Sequence, residues 1–227
     1  MNTLCAVTIA VVLVGVSPAV AATYPAPVEG DYIVKNFRFG TGEVLPELRL
    51  HYRTIGTPRR DQAGVIRNAV LLLHGTSGTG ANFLAPDFAG QLFEQGQLLD
   101  GNTHFIIIPD AIGTGRSSKP SDGLHAKFPR YDYADIVNAQ HLLMTEQFGV
   151  THLRLLLGTS MGAMQTWMWA ETYPAVSDAF AALASNPVAI AGRNRMYRRM
   201  IIDAIRNDPG YNNGEYTKQP HGLATAI

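Results

Sequence analysis

Cysteine is almost absent: the 227-residue chain has one, Cys5, inside an apolar amino-terminal stretch. Beyond that position internal disulfides, Cys-ligated zinc and thiol nucleophiles are excluded. Excess charge of either sign is also lacking, since Lys plus Arg and Asp plus Glu both count 18. No net field then draws the chain to nucleic acid, an anionic membrane surface or a strongly charged substrate. Metal-ligand spacing such as His-x-x-x-His is missing; His51, His104, His125, His141 and His152 are scattered and read as surface or packed residues. No metal and no bound cofactor is expected. No internal repeat, low-complexity tract or linker divides the chain. What is present, 46% hydrophobic and 16% charged residues, suffices for one domain with a buried core.

The apolar run from Leu4 to Val16 is shorter than the ~20 residues that a membrane span needs. With Pro18 and the small-residue site Ala19-Val20-Ala21 behind it, the run reads as a signal peptide over residues 1–22. The domain proper is then 23–227. The protein is expected to be exported, to a periplasm or the extracellular space, with no stable span after cleavage.

Short β-type runs separated by helix-length segments predict an α/β fold, a mostly parallel sheet with helices on both faces. The segment Asp31 to Gly56 comes first, with Leu48, Leu50, Tyr52 and Thr54 alternating against Arg49, His51 and Arg53. That alternation predicts an antiparallel hairpin with one packed and one wet face. Continuous apolar runs at Ala69–Leu73, Phe105–Ile108, Leu153–Leu157 and Ala179–Leu183 predict strands buried on both faces. Helices are expected over Ala81–Leu98, over Tyr133–Phe148 behind an Asp132 cap, and over Met161–Tyr173. After Asn186-Pro187 the character changes to a basic helical stretch, Arg193–Arg206, and a turn-rich segment, Asp208–Gly214.

Chemistry enters at Leu155-Leu156-Leu157-Gly158-Thr159-Ser160-Met161-Gly162-Ala163, where Gly-x-Ser-x-Gly follows an apolar strand and opens a helix. A turn this sharp strains the serine, and glycines at 158 and 162 remove side chains that would clash as the backbone closes. Ser160 is the expected nucleophile. The helix N-terminus favours an oxyanion, with the Met161 N–H as one donor. An earlier glycine turn, His74-Gly75-Thr76-Ser77-Gly78-Thr79-Gly80, should supply the second donor from Thr76 or its neighbour Gly75. His74, at a strand end, suits a structural role, orienting that loop by hydrogen bonding. The loop Asp110-Ala111-Ile112-Gly113-Thr114-Gly115-Arg116-Ser117 lacks the third glycine of a dinucleotide fingerprint, and is expected to rim the pocket.

Three further segments extend the pattern: Tyr52-Arg53-Thr54-Ile55-Gly56; Gly158 to Gln165 with Trp169-Ala170 and Tyr173-Pro174; and Ala204 to Pro209 with Asn213-Gly214-Glu215-Tyr216. Together these residues resemble the α/β-hydrolase superfamily, and within it the homoserine O-acetyltransferase-like group, from about Leu48 to Tyr216. The resemblance implies an acyl-enzyme mechanism: a histidine deprotonates Ser160, the serine takes an acyl group, and water or an alcohol accepts it. It also implies a lid beginning near residue 188. The lid-helix arginine that would bind an amino-acid carboxylate aligns with Ile202; Arg198 and Arg199 are near but are not residue-for-residue matches.

In this fold the triad runs serine, acid, histidine, the last two on loops after later strands. The only histidine after Ser160 is His221, in a polar tail. Asp203 or Asp208 with His221 could form only a compressed triad, so the chain is expected to be a partial domain that stops after the start of the lid. Its function is read as a serine acyl-transfer enzyme acting on a small-molecule ester or acyl substrate, esterase-like and inactive or weakly active as it stands. The alternatives are an acyl-CoA-dependent homoserine O-acetyltransferase-like enzyme and a non-catalytic binding protein on the same scaffold. An exposed sheet edge, open to self-association, would follow from missing strands.

Overall fold

The computed structural model describes residues 24–226, so the expected signal peptide, Met1–Ala22, lies outside the described residues. The leading hairpin forms: β1 (Val28–Arg38) pairs antiparallel with β2 (Val44–Ile55), from Val28 opposite Thr54 to Arg38 opposite Val44. Its polar face is not wet as expected. His51 and Arg53 are 1% and 6% exposed. The far half of β2 is an inner strand, paired antiparallel with β4 (Phe105–Pro109) from Tyr52 opposite Pro109 to Ile55 opposite Ile106. The loop leaving β4 folds over it, and Ser117 Oγ accepts the His51 N–H at 3.0 Å. Strand alternation reports two faces; it does not report what later packs on them.

The sheet continues in parallel through β3 (Ala69–Leu73), β5 (Leu155–Thr159) and β6 (Phe180–Leu183), in the order β1-β2-β4-β3-β5-β6. β3 and β4 are buried throughout, as continuous apolar runs should be. β5 starts two residues later than its apolar run, because Leu153 makes only an isolated bridge to Ser177. β6 departs from expectation. It is the last strand in the order among the described residues, its residues are half-buried, and Leu183 is 48% exposed.

Helices cover both faces. Alternate side chains of β3 divide between them: Val70 and Leu72 pack with Ala89 of α1 (Pro86–Leu92), whereas Leu71 and Leu73 pack with Val137 of α2 (Tyr133–Leu142) and Trp169 of α3 (Met161–Thr172). The single helix expected over 81–98 is instead a 3-10 turn, Gly80–Leu84, followed by α1. Pro86 explains the break, since the residue before a proline is pushed out of the helical region, and Ala85 is extended at φ −63°, ψ 144°. Asp132 caps α2 as expected: its Oδ1 accepts the Ala134 and Asp135 amides at 2.8 and 3.3 Å, and Asp135 Oδ2 accepts the Asp132 amide at 3.1 Å. Asp132→Ala should therefore lower stability by about 1 kcal/mol, read as a shift of the urea midpoint. An unchanged midpoint would show that the cap contributes nothing. The basic stretch forms α4 (Gly192–Arg206), which has no buried residue, and α5 (Gly222–Ala226) packs on it. Among the described residues no helix is long and apolar enough to cross a membrane.

Candidate active site

The turn from β5 into α3 holds Ser160 at φ 51°, ψ −109°, a region that non-glycine residues rarely occupy. Three close approaches hold it there. A Cβ on Gly158 would stand 2.2 Å from the Gly162 carbonyl oxygen, and one on Gly162 would stand 2.1 Å from the Leu73 carbonyl oxygen and 2.8 Å from that of His74. Only glycine lets α3 begin this close to the end of β3. The Ser160 amide donates to the Leu183 carbonyl of β6 at 2.9 Å, and the Ser160 carbonyl accepts the Met164 amide at 3.1 Å. The serine side chain is left exposed at the carboxyl edge of the sheet. Met161 is the first residue of α3, where the helix offers its amide no partner of its own.

The loop after β3 approaches from the side. Gly75 is the residue that comes against the serine: a Cβ there would be 3.5 Å from both Ser160 Cβ and the Thr159 carbonyl oxygen, an ordinary contact. Thr76 follows, exposed, and Ser77 takes a left-handed conformation at φ 58°. Internal bonds fix the loop. The Gly78 amide donates to the Gly75 carbonyl at 3.2 Å, and Thr79 forms a capping box with Asn82.

His74 faces away from this chemistry. It is 3% exposed; its Nε2 accepts the Ala111 amide at 3.0 Å, which leaves the ring proton on Nδ1, 2.9 Å from the Gly75 carbonyl. Burial lowers its pKa, more than the nearby Asp110 carboxylate and the bond to Gly75 raise it. The ring stays neutral and ties the loop after β3 to the loop after β4.

That second loop does not rim the pocket as expected: none of residues 110–117 lines the cavity that Ser160 borders. It braces the first loop from behind, through Asp110, a residue that pattern reading missed. Asp110 Oδ1 accepts Arg53 Nη1 at 2.9 Å and the Gly80 amide at 2.8 Å, and Oδ2 accepts the Arg116 amide at 2.9 Å. A Cβ on Gly115 would fall 2.1 Å from Asp110 Oδ2. The one available signal was an aspartate directly ending a buried strand, where an ion needs a partner.

Ser160 borders a cavity of about 320 Å³, lined also by Tyr133, by residues 184–186 and 188–191, and by the first half of α4. Asn194 and Arg198 reach it, joined by an Arg198 Nε to Asn194 Oδ1 bond of 2.9 Å. Ser185 Oγ, a buried atom of another residue lining the cavity, has no hydrogen-bond partner among the described residues. Arg199 turns instead to Asp203 at 2.8 Å, and Ile202 is 43% exposed. The described residues lining the cavity include no histidine and no carboxylate. His221 is exposed, and Asp208 is spent on backbone amides, chiefly those of Gly210 and Gly222, which hold its pKa below the ordinary carboxylate value. Asp203, Asp208 and His221 therefore do not converge on Ser160.

A family profile described as alpha/beta hydrolase fold matches residues 68–218. The chain is 34% identical over 194 residues to a homoserine O-acetyltransferase of Thermobifida fusca, covering 79% of this chain and 50% of that protein. It is 34% identical over 179 residues to an ethyl acetate hydrolase of Pseudomonas veronii, covering 77% and 48%. It therefore spans about half the length of these curated relatives. Among solved structures, an acetylester hydrolase from Corynebacterium glutamicum superposes with a TM-score of 0.75 at 28% identity, covering 88% of this chain and 55% of that one.

Proposed function

We propose, since the chain belongs to the α/β-hydrolase family, that it carries the nucleophile half of an ester-cleaving serine enzyme. The observation that carries this is Ser160: exposed, at positive φ, between two glycines that admit no side chain, on the rim of a cavity. In this reading Ser160 Oγ attacks the ester carbonyl, and its proton passes by way of a base to the oxygen of the departing alcohol as the ester C–O bond breaks. Water then cleaves the acyl-serine to give the carboxylic acid and the free hydroxyl. The Met161 amide and an amide of the Gly75-Thr76 pair stabilise the oxyanion. His74, Gly158 and Gly162 act structurally. With no base among the described residues lining the cavity, the rate is that of a weakly activated serine aided by oxyanion binding alone.

The purified chain should be phosphonylated at Ser160 by a fluorophosphonate, and Ser160→Ala should not be. Turnover of p-nitrophenyl acetate should stand only marginally above that of the variant. Equal, absent labelling would leave the non-catalytic scaffold as the better account. A large Ser160-dependent turnover would mean that a base is supplied after all, with His221 the first residue to replace.

A second reading, transfer of an acyl group from acyl-CoA to a hydroxyl amino acid, is favoured by Arg198, the cationic residue that lines the cavity with Ser160. Arg198 lies one turn of α4 before the position that the family pattern assigns to a carboxylate-binding arginine. The segment 1–22, read as an export signal, supports hydrolysis instead, because acyl-CoA is cytoplasmic. The outer edge of β6, unpaired among the described residues, supports self-association through that strand.

A further inference from the structure

Beyond the cavity that Ser160 borders lies a second, of about 240 Å³, and the two share Tyr133, Met164, Asn186, Val188 and Ala189 as walls. The shared walls set the two side by side, as a groove in two parts over α3. Its character changes along its length: beside Ser160 it presents Ser185, Asn194 and Arg198, whereas the outer part presents Trp167 and Met168 and carries no charge until Glu171. Helix α3 forms the floor. Ser160, Met164, Trp167, Met168 and Glu171 follow one another at intervals of four, three, one and three, the spacing of a single helix face.

Two physical points give this groove a ligand. Trp167 is 39% exposed, so its ring leaves apolar surface in water that a bound chain would cover. The methionine side chains are unbranched and adaptable, and they conform to a flexible aliphatic segment better than to a rigid ring. The polar end fixes direction, since the ester group must lie where Ser160 is and the remainder must run outward along α3.

We infer that the groove is a subsite for an unbranched apolar arm of the ester, lying over Met164, Trp167 and Met168; this rests on the proposed role of Ser160. The test is a tryptophan-fluorescence titration of the full chain carrying Ser160→Ala, in which the esters are not consumed by the serine. Ethyl acetate, hexyl acetate and ethyl hexanoate are compared, the second extending the alcohol side and the third the acyl side. Each fully buried methylene improves affinity about fourfold, so partial burial of four added carbons should tighten binding of one long ester at least ~tenfold over ethyl acetate. That result also identifies which side of the ester the groove holds. Met168→Glu, added to Ser160→Ala, should bring the ratio back toward one. Equal affinities for all three esters, or a gain that survives Met168→Glu, would overturn the subsite. Fluorophosphonate labelling of the unaltered chain reports separately on the nucleophile: failure to label with the tenfold gain intact removes the catalytic role and leaves the groove.

Discussion

Gly162→Ala should slow fluorophosphonate labelling of Ser160 at least ~100-fold, the scale of effect that a displacement of about 1 Å produces at a reacting centre. The cause is steric and specific. The new Cβ would stand 2.1 Å from the Leu73 carbonyl oxygen, a backbone atom of a fully buried strand that cannot swing aside. Helix α3 must move instead, carrying away the Met161 amide and withdrawing Ser160 from Gly75. Overpacking of this kind also costs about 3 kcal/mol of stability, measurable by urea denaturation. Gly90→Ala is the matched control, because a Cβ there meets nothing within 4 Å and the position is inside α1. Its stability should change by no more than about 1 kcal/mol, in the favourable direction. Wild-type labelling and stability in Gly162→Ala would show that the close packing of α3 on β3 is not what holds the serine.

The second large effect is expected at Asp110. Its carboxylate is fully buried against Arg53, whose side chain is 8% exposed. Replacement by alanine leaves a buried guanidinium with Glu29, at 3.0 Å, as its one ionic partner among the described residues, and removes the acceptor of the Gly80 and Arg116 amides. Removing one member of a buried pair costs about 3–5 kcal/mol, a large share of the 5–15 kcal/mol that is typical of a whole domain. Asp110→Asn keeps one acceptor oxygen and should fall between alanine and wild type. The loss belongs to the unpaired arginine, so Arg53→Met combined with Asp110→Ala should recover part of it, in a double-mutant cycle read by urea midpoints. A simple sum of the two single losses would refute the coupling.

The features that could be read from the sequence are those whose causes are local. β3 was bounded to the residue because five apolar side chains in succession have no other economical arrangement, and the elbow was legible because its glycines, strand and helix are contiguous. Asp132 was legible as a cap for the same reason. What escaped was set by partners far along the chain. The Arg53–Asp110 pair joins residues 57 apart, so nothing beside Arg53 reveals that its face of β2 will be covered. β6 carries the composition of an inner strand but is the last in the order, and its exposure follows from the neighbour it does not have among the described residues. At the site, alignment pointed to Ile202 as the lid-helix position of interest, whereas one turn of helix earlier Arg198 reaches the cavity. A helix face depends on how the helix is seated, which sequence spacing does not specify.

The bond from the Ser160 amide to the Leu183 carbonyl links the strained residue to a strand with no fully buried residue, the last in the sheet order among the described residues. Strain persists only while its surroundings over-determine it, and segments with little burial open at a lower free energy than the core. The angle at which the serine is presented is therefore thermodynamically linked to the edge: whatever pairs along the outer side of β6 lowers the population of elbows that have relaxed.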